Sequence, residues 1–182
     1  MPYKFGILKG KDFEPFKYGN IYWIEETPSY RRLCIGSDNP LEVIFNLAET
    51  LSGPFYILYV LHTPRSGNEA ARYQSPKLSL ETARGFFHEF GEFFQKDARH
   101  DVWLHSQGDD STIVYDRHDL IYAYGLLDNF IKILRDSGFR EKEVKIPVPH
   151  CHNYYPEYDR YENSVVRDFA WAKSPLREED EQ

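Results

Sequence analysis

The stretch Asn39-Pro40-Leu41-Glu42-Val43-Ile44-Phe45-Asn46-Leu47-Ala48-Glu49-Thr50-Leu51-Ser52-Gly53-Pro54-Phe55-Tyr56-Ile57-Leu58-Tyr59-Val60-Leu61 changes its period once, and that change decides the fold class. Up to Leu51 the apolar residues Leu41, Ile44, Phe45, Ala48 and Leu51 recur three or four apart, the spacing of one helix face. Asn39 suits the N-cap, Pro40 the first helical position and Glu42 a capping-box contact. Gly53 can supply a left-handed cap and Pro54 forbids continuation, so the spacing predicts a helix over 40–52. Phe55 to Leu61 then carries apolar side chains on both alternating faces, which reads as an interior strand covered on both sides.

The flanks extend this helix-then-strand unit. Before it, 20–25 and 31–36 are rich in β-branched and aromatic residues, with Thr27-Pro28-Ser29 as their turn. Tyr3 to Leu8 reads as an earlier edge strand. After it comes a long polar connection, 64–78. Ser79 then caps a helix over 80–96 whose Phe86, Phe87, Phe90, Phe93 and Phe94 form one apolar stripe. A meander of 102–105, 112–115 and 120–124 follows, then a helix over 126–137 and a strand over 143–148. The segment 157–172 fits a helix or an exposed strand, and Pro156 with the acids after it favours the helix. Hairpins alternating with helices predict an α+β fold: one domain, 1–173, with a mixed or antiparallel sheet packed by about three helices. The order strand–strand–helix–strand occurs twice, over 18–64 and 102–150, as a tandem β-β-α-β pseudo-repeat joined by the 80–96 helix. The acidic end, 174–182, reads as disordered.

Composition narrows the function classes. Lys and Arg number 22 against 29 Asp and Glu, a net charge of −7, which argues against non-specific nucleic-acid binding. No apolar run approaches the roughly 20 residues of a spanning helix. The two cysteines make no disulfide framework, so the expected setting is the cytoplasm, with no membrane association. Aromatic residues reach 16%, enough to build a core from rings and to leave tyrosines for a contact surface.

Chemistry-bearing residues are scattered along the chain. His150-Cys151-His152 is the best metal-like feature, because in an extended segment residues two apart share a face. A third ligand must come from afar, with His62, Asp159 and Glu157 as candidates. Asp116-Arg117-His118-Asp119 places an imidazole between acids but has the composition of a hairpin turn. Asp109-Asp110 is read the same way. Cys34 lies inside a strand and is expected to be buried and inert, with Cys151 more exposed. Arg65 and Arg72 flank a polar loop that could grip an anion. No nucleotide-binding glycine pattern and no G-x-S-x-G elbow occurs.

Two functional readings follow. The first is a non-enzymatic binding protein, acidic and tyrosine-rich, of the inhibitor or immunity type, facing a basic partner protein and needing no cofactor. The second is a small metal-assisted hydrolase that uses His62, His150 and His152 around zinc or a similar ion.

Overall fold

A computed structural model describes residues 1–181. Twelve strands and four α-helices follow one another in the order β1 (Phe5–Lys9), β2 (Asp12–Pro15), β3 (Ile21–Glu26), β4 (Arg31–Gly36), α1 (Pro40–Ala48), β5 (Phe55–Leu61), β6 (Ala71–Gln74), α2 (Leu80–Lys96), β7 (His100–Ser106), β8 (Ser111–Tyr115), β9 (Leu120–Tyr124), α3 (Leu127–Asp136), β10 (Arg140–Glu141), β11 (His150–His152), α4 (Asp159–Asp168) and β12 (Ala172–Ser174). Short 3-10 turns precede α4 and close the described chain. The class is α+β. No helix among the described residues is long and apolar enough to cross a membrane.

Nine strands form one sheet in the order β10-β3-β4-β9-β8-β7-β5-β6-β12, and β11-β1-β2 form a second, smaller one. The hairpins β3-β4 and β8-β9 lie side by side, with β4 antiparallel to β9. Each hairpin's following helix leads to a strand on the far side of the other hairpin. β10 runs parallel to β3. β5 runs parallel to β8 but one place further out, because β7 lies between them and is antiparallel to both.

Alternation sorts the sheet's two faces. Tyr22, Leu33, Ile35, Ile57, Tyr59, Leu104, Ile113 and Ile121 turn inward and form one core with helices α1, α2 and α3. The phenylalanines of α2 occupy its centre, Phe87 and Phe94 edge to face at 5.8 Å. Ser79 caps α2 by accepting from the Thr82 amide at 3.1 Å, as its position predicts. Asn39 makes no such backbone cap; its amide donates instead to Glu42 at 2.6 Å. Helix α1 stops at Ala48, short of Gly53: the Thr50 and Leu51 amides turn to the Leu47 and Ala48 carbonyls at 3.2 and 3.0 Å, and the Thr50 hydroxyl also donates to the Leu47 carbonyl at 2.8 Å.

On the other face the cover is partial. Tyr18, Val144 and Ile146 close over Ile21, Cys34 and Leu120. Gly36 permits this, since a Cβ there would meet Tyr18 Cβ at 2.3 Å. Tyr56 and Leu58 stay half-exposed, so β5 is covered on both faces only toward its end. Residues 143–148 hold no strand: the chain leaves the sheet after Glu141, and Pro147 and Pro149 have no N–H to offer a ladder. The 157–172 segment is helical over Asp159–Asp168 and only then extended, pairing β12 with β6. In the acidic end, Asp180 is buried and pairs with Arg72 at 3.1 Å.

One polar cluster pins this end of the fold. Arg99 is fully buried and donates to Asp97 at 2.7 and 2.9 Å, Glu162 at 2.7 Å, Asp159 at 2.9 Å and the Tyr155 carbonyl at 3.0 Å. Glu162 also accepts from the Arg65 and Ser66 amides at 2.9 and 3.1 Å and from Asn68 at 2.8 Å, so it holds the 63–70 loop. Burial alone would raise the Glu162 pKa, but these donors outweigh it and hold it below the usual range. Glu162→Ala would leave the Arg99 guanidinium short of a buried partner, and a loss of about 3–5 kcal/mol is expected in urea denaturation. The pH dependence has a definite sign. The unfolded carboxylate takes up its proton first as pH falls, so the Glu162 contribution is full above about pH 4.3 and drains away below it. The gap in stability between wild type and Glu162→Gln should therefore narrow as acid is added.

Candidate metal centre

The short strand β11 puts His150 and His152 on one face, and Cys151 on the other, where Asn153 Nδ2 reaches its sulfur at 3.7 Å. Strand β1 positions β11, with Phe5 opposite His152 and Ile7 opposite His150. Facing them is the β8-β9 turn, 116–119. Asp116 shapes that turn: its Oδ1 accepts the His118 and Leu120 amides, both at 2.9 Å. Asp119 takes a left-handed φ of 64°, and its carboxylate accepts from Lys17 at 2.8 Å. The turn therefore has the chemistry its composition predicts, and it also aims His118 at β11.

His118, His150 and His152 converge. One ring nitrogen from each lies within 4.8 Å of the other two. Ring centroids are 4.7 Å apart for His118–His152, 5.3 Å for His150–His152 and 5.5 Å for His118–His150. Three imidazoles radiating tetrahedrally from one ion at a bond length of about 2.0–2.1 Å would have centroids about 5 Å apart. The ring centroids stand near that spacing, and the nitrogens, within 4.8 Å of one another, would close to about 3.4 Å around an ion.

Hydrogen bonds choose the tautomers. His150 Nδ1 lies 2.8 Å from the Pro147 carbonyl, which can only accept, so Nδ1 carries a proton, and in the neutral ring Nε2 is the nitrogen with the lone pair. His118 Nδ1 lies 2.8 Å from Asp116 Oδ2 and donates to it in the same way. His152 Nε2 is buried without a partner. Burial, with the nearby His118, Arg117 and His150, lowers the His152 pKa to about 3, so this imidazole is neutral. Two of the three rings thus have Nδ1 engaged by an oxygen, the outer arrangement that orients metal-binding histidines. Phe5 forms an apolar wall, its centroid 5.2–6.0 Å from all three imidazoles. Tyr18 stacks on Phe5 at 6.0 Å, and its hydroxyl is likewise buried without a partner.

The other candidates fall elsewhere. His62 Nε2 pairs with Asp101 Oδ2 at 2.9 Å, so the third imidazole beside His150 and His152 is His118 and not His62. Asp101 joins the two regions, since its Oδ1 accepts the Arg117 amide at 2.8 Å, next to His118. Asp159 is taken by Arg99 and by Arg65, whose Nε lies 3.2 Å away. Arg72 sits under Asp180 and 5.3 Å from the Trp103 ring. Asp109 accepts from the Ser52 amide and so ties the β7-β8 turn to the segment before β5. The sequence signal for His118 was its place in a four-residue turn with an acid two before it, but nothing in that turn says which strand end it faces.

No protein-family model, curated protein or solved structure matches this chain.

Cys34 and Cys151 should be distinguishable by reactivity. Cys34 is 2% exposed, and burial, aided by Glu25 and Asp116, pushes its thiol up to about 12. Cys151 is half-buried. In the native protein a thiol reagent should modify Cys151 alone, with Cys34 reacting only in denaturant. Equal rates for the two would contradict this packing.

Proposed function

We propose that the protein is a metal-dependent hydrolase in which His118, His150 and His152 hold one zinc-class divalent ion. The observation that carries this reading is the convergence of three imidazoles on one point. Their nitrogen set suits zinc and neighbouring transition metals and not calcium or magnesium, which take oxygen ligands. Three protein ligands is also the count of catalytic zinc sites, which keep a fourth position for water or substrate. When bound there, such an ion supplies a nucleophile at neutral pH by lowering the pKa of a bound water to about 7, and it polarises carbonyl or phosphoryl oxygens.

The chain's own residues do the rest. Asp116 and the Pro147 carbonyl hold the His118 and His150 rings by Nδ1, which leaves Nε2 for an ion. Phe5 keeps one side of the cluster dry, which strengthens electrostatic contacts there. Between the two readings left open by the sequence, a binding protein for a basic partner and a metal-assisted enzyme, the convergence of the histidines favours the second.

The full chain should bind one equivalent of zinc, measured by elemental analysis after dialysis, and His150→Ala/His152→Ala should bind none. Asp116→Asn gives a sharper test. An amide facing His118 Nδ1 donates to it, which moves the proton to Nε2 and removes the lone pair. Zinc affinity is then expected to fall about 10–100-fold with the fold intact by circular dichroism. Zinc-dependent cleavage of p-nitrophenyl acetate or p-nitrophenyl phosphate, rising with pH through about 7, completes the test. Absence of stoichiometric metal would falsify the reading, and metal binding without cleavage of either ester would remove its catalytic half.

A further inference from the structure

We propose that the uncovered part of the nine-stranded sheet's outer face holds a second ligand site, a groove for a neutral saccharide on β5, β6, β7 and β8, independent of the metal reading. The groove has a volume of about 320 Å³, within the range of small-molecule sites. Tyr56 and Trp103 supply two aromatic rings. Gln74, Gln107, His105 and Thr112 supply hydrogen-bonding groups around them. Pairing places these residues side by side: Tyr56 lies opposite His105, His105 opposite Thr112, and Leu58 opposite both Gln74 and Trp103.

Charge selects the class of ligand. In a chain with 28% charged residues, no Asp, Glu, Lys or Arg lines this groove. Arg72, 5.3 Å from the Trp103 ring, is paired with Asp180 at 3.1 Å. A phosphate or carboxylate ligand would find no counter-charge there. A neutral pyranose presents an apolar C–H face to an aromatic ring and a rim of hydroxyls to the groups beside it.

The hydrogen-bonding inventory separates a sugar from a proline-rich peptide, the other ligand that favours aromatic grooves. A proline-rich backbone offers carbonyl acceptors and few donors. This groove holds acceptors as well as donors. Gln74 has both. Thr112 and His105 bond to each other through Oγ1 and Nδ1 at 3.0 Å, which leaves His105 Nε2 for a ligand. Gln107 accepts from the Tyr56 hydroxyl at a long 3.5 Å and keeps its amide hydrogens. Trp103 lines the groove while its Nε1 is buried, so it contributes ring surface there and not a donor. Hydroxyls, which donate and accept at once, answer this mixed set.

The experiment is a titration of the full chain with maltotriose, cellotriose and chitotriose, followed by tryptophan fluorescence and calorimetry. A glucuronate-terminated trisaccharide and a polyproline peptide serve as competitors of other chemistry. Saturable binding of a neutral trisaccharide is expected. Affinity should fall about tenfold in Gln74→Ala/Gln107→Ala, and again in Trp103→Ala, which removes the ring. His150→Ala/His152→Ala should bind the sugar as wild type does, which separates this site from the metal centre. The proposal is overturned if none of the neutral sugars binds, if polyproline or the acidic sugar binds in their place, or if binding survives both groove variants unchanged.

Discussion

The Asp116 residue holds together what the candidate centre needs. Its carboxylate shapes the β8-β9 turn by accepting two amides and fixes the His118 ring through a third bond. Its carbonyl accepts from the buried Lys4 ammonium at 2.7 Å. Lys4 precedes β1, and β1 carries β11 in register. One residue thus aims the first imidazole and tethers the strand that lines up the other two. Lys4 also lies 3.9 Å from the Tyr115 ring centroid, so its charge is shared between a carbonyl and an aromatic face. Burial lowers the Lys4 pKa, while Asp119 and Asp116 act to keep it charged.

The same economy recurs at Arg99. Burying a guanidinium is costly unless each face of it finds an acceptor, and Asp97, Asp159, Glu162 and the Tyr155 carbonyl provide them. These acceptors come from the C-cap of α2, from α4 and from the segment before α4. The cluster therefore specifies where the C-terminal third of the chain sits, which apolar packing alone would leave loosely defined. It also explains why Arg65 serves as a brace: its amide and its guanidinium both meet α4 carboxylates.

Local pattern carried most of the fold. The α2 helix is legible to the residue, because Ser79 and the phenylalanine stripe state its start and its buried face. Both long hairpins are legible from alternation. The failures share one cause, which is that tertiary partners are not written in local period. Residues 143–148 alternate like a strand, yet only Arg140–Glu141 finds a partner in β3. Asp12–Pro15 pairs with β1 although its sequence is polar and ends in proline. At the site, His150 and His152 announce themselves by spacing, a property of one strand. His62 reads as a third-ligand candidate at the end of the central strand, whereas His118 reads as part of a hairpin turn. Only topology decides between them, bringing the β8-β9 turn, and not the end of β5, against β11.

That topology gives the centre a consequence for folding as well as for chemistry. His118 belongs to the nine-stranded sheet, whereas His150 and His152 belong to the three-stranded one. The smaller sheet is held by few direct bonds, among them Lys4 to Asp116, Lys17 to Asp119 and the Phe5 ring contacts. Three strands of three to five residues make a weak independent unit, so their order is borrowed from docking. An ion bound by all three imidazoles would cross-link the two sheets, and any ligand that binds only the folded arrangement stabilises it by mass action. The pre-aimed imidazoles lower the cost of forming the site, and the site in turn would secure the sheet that presents two of them.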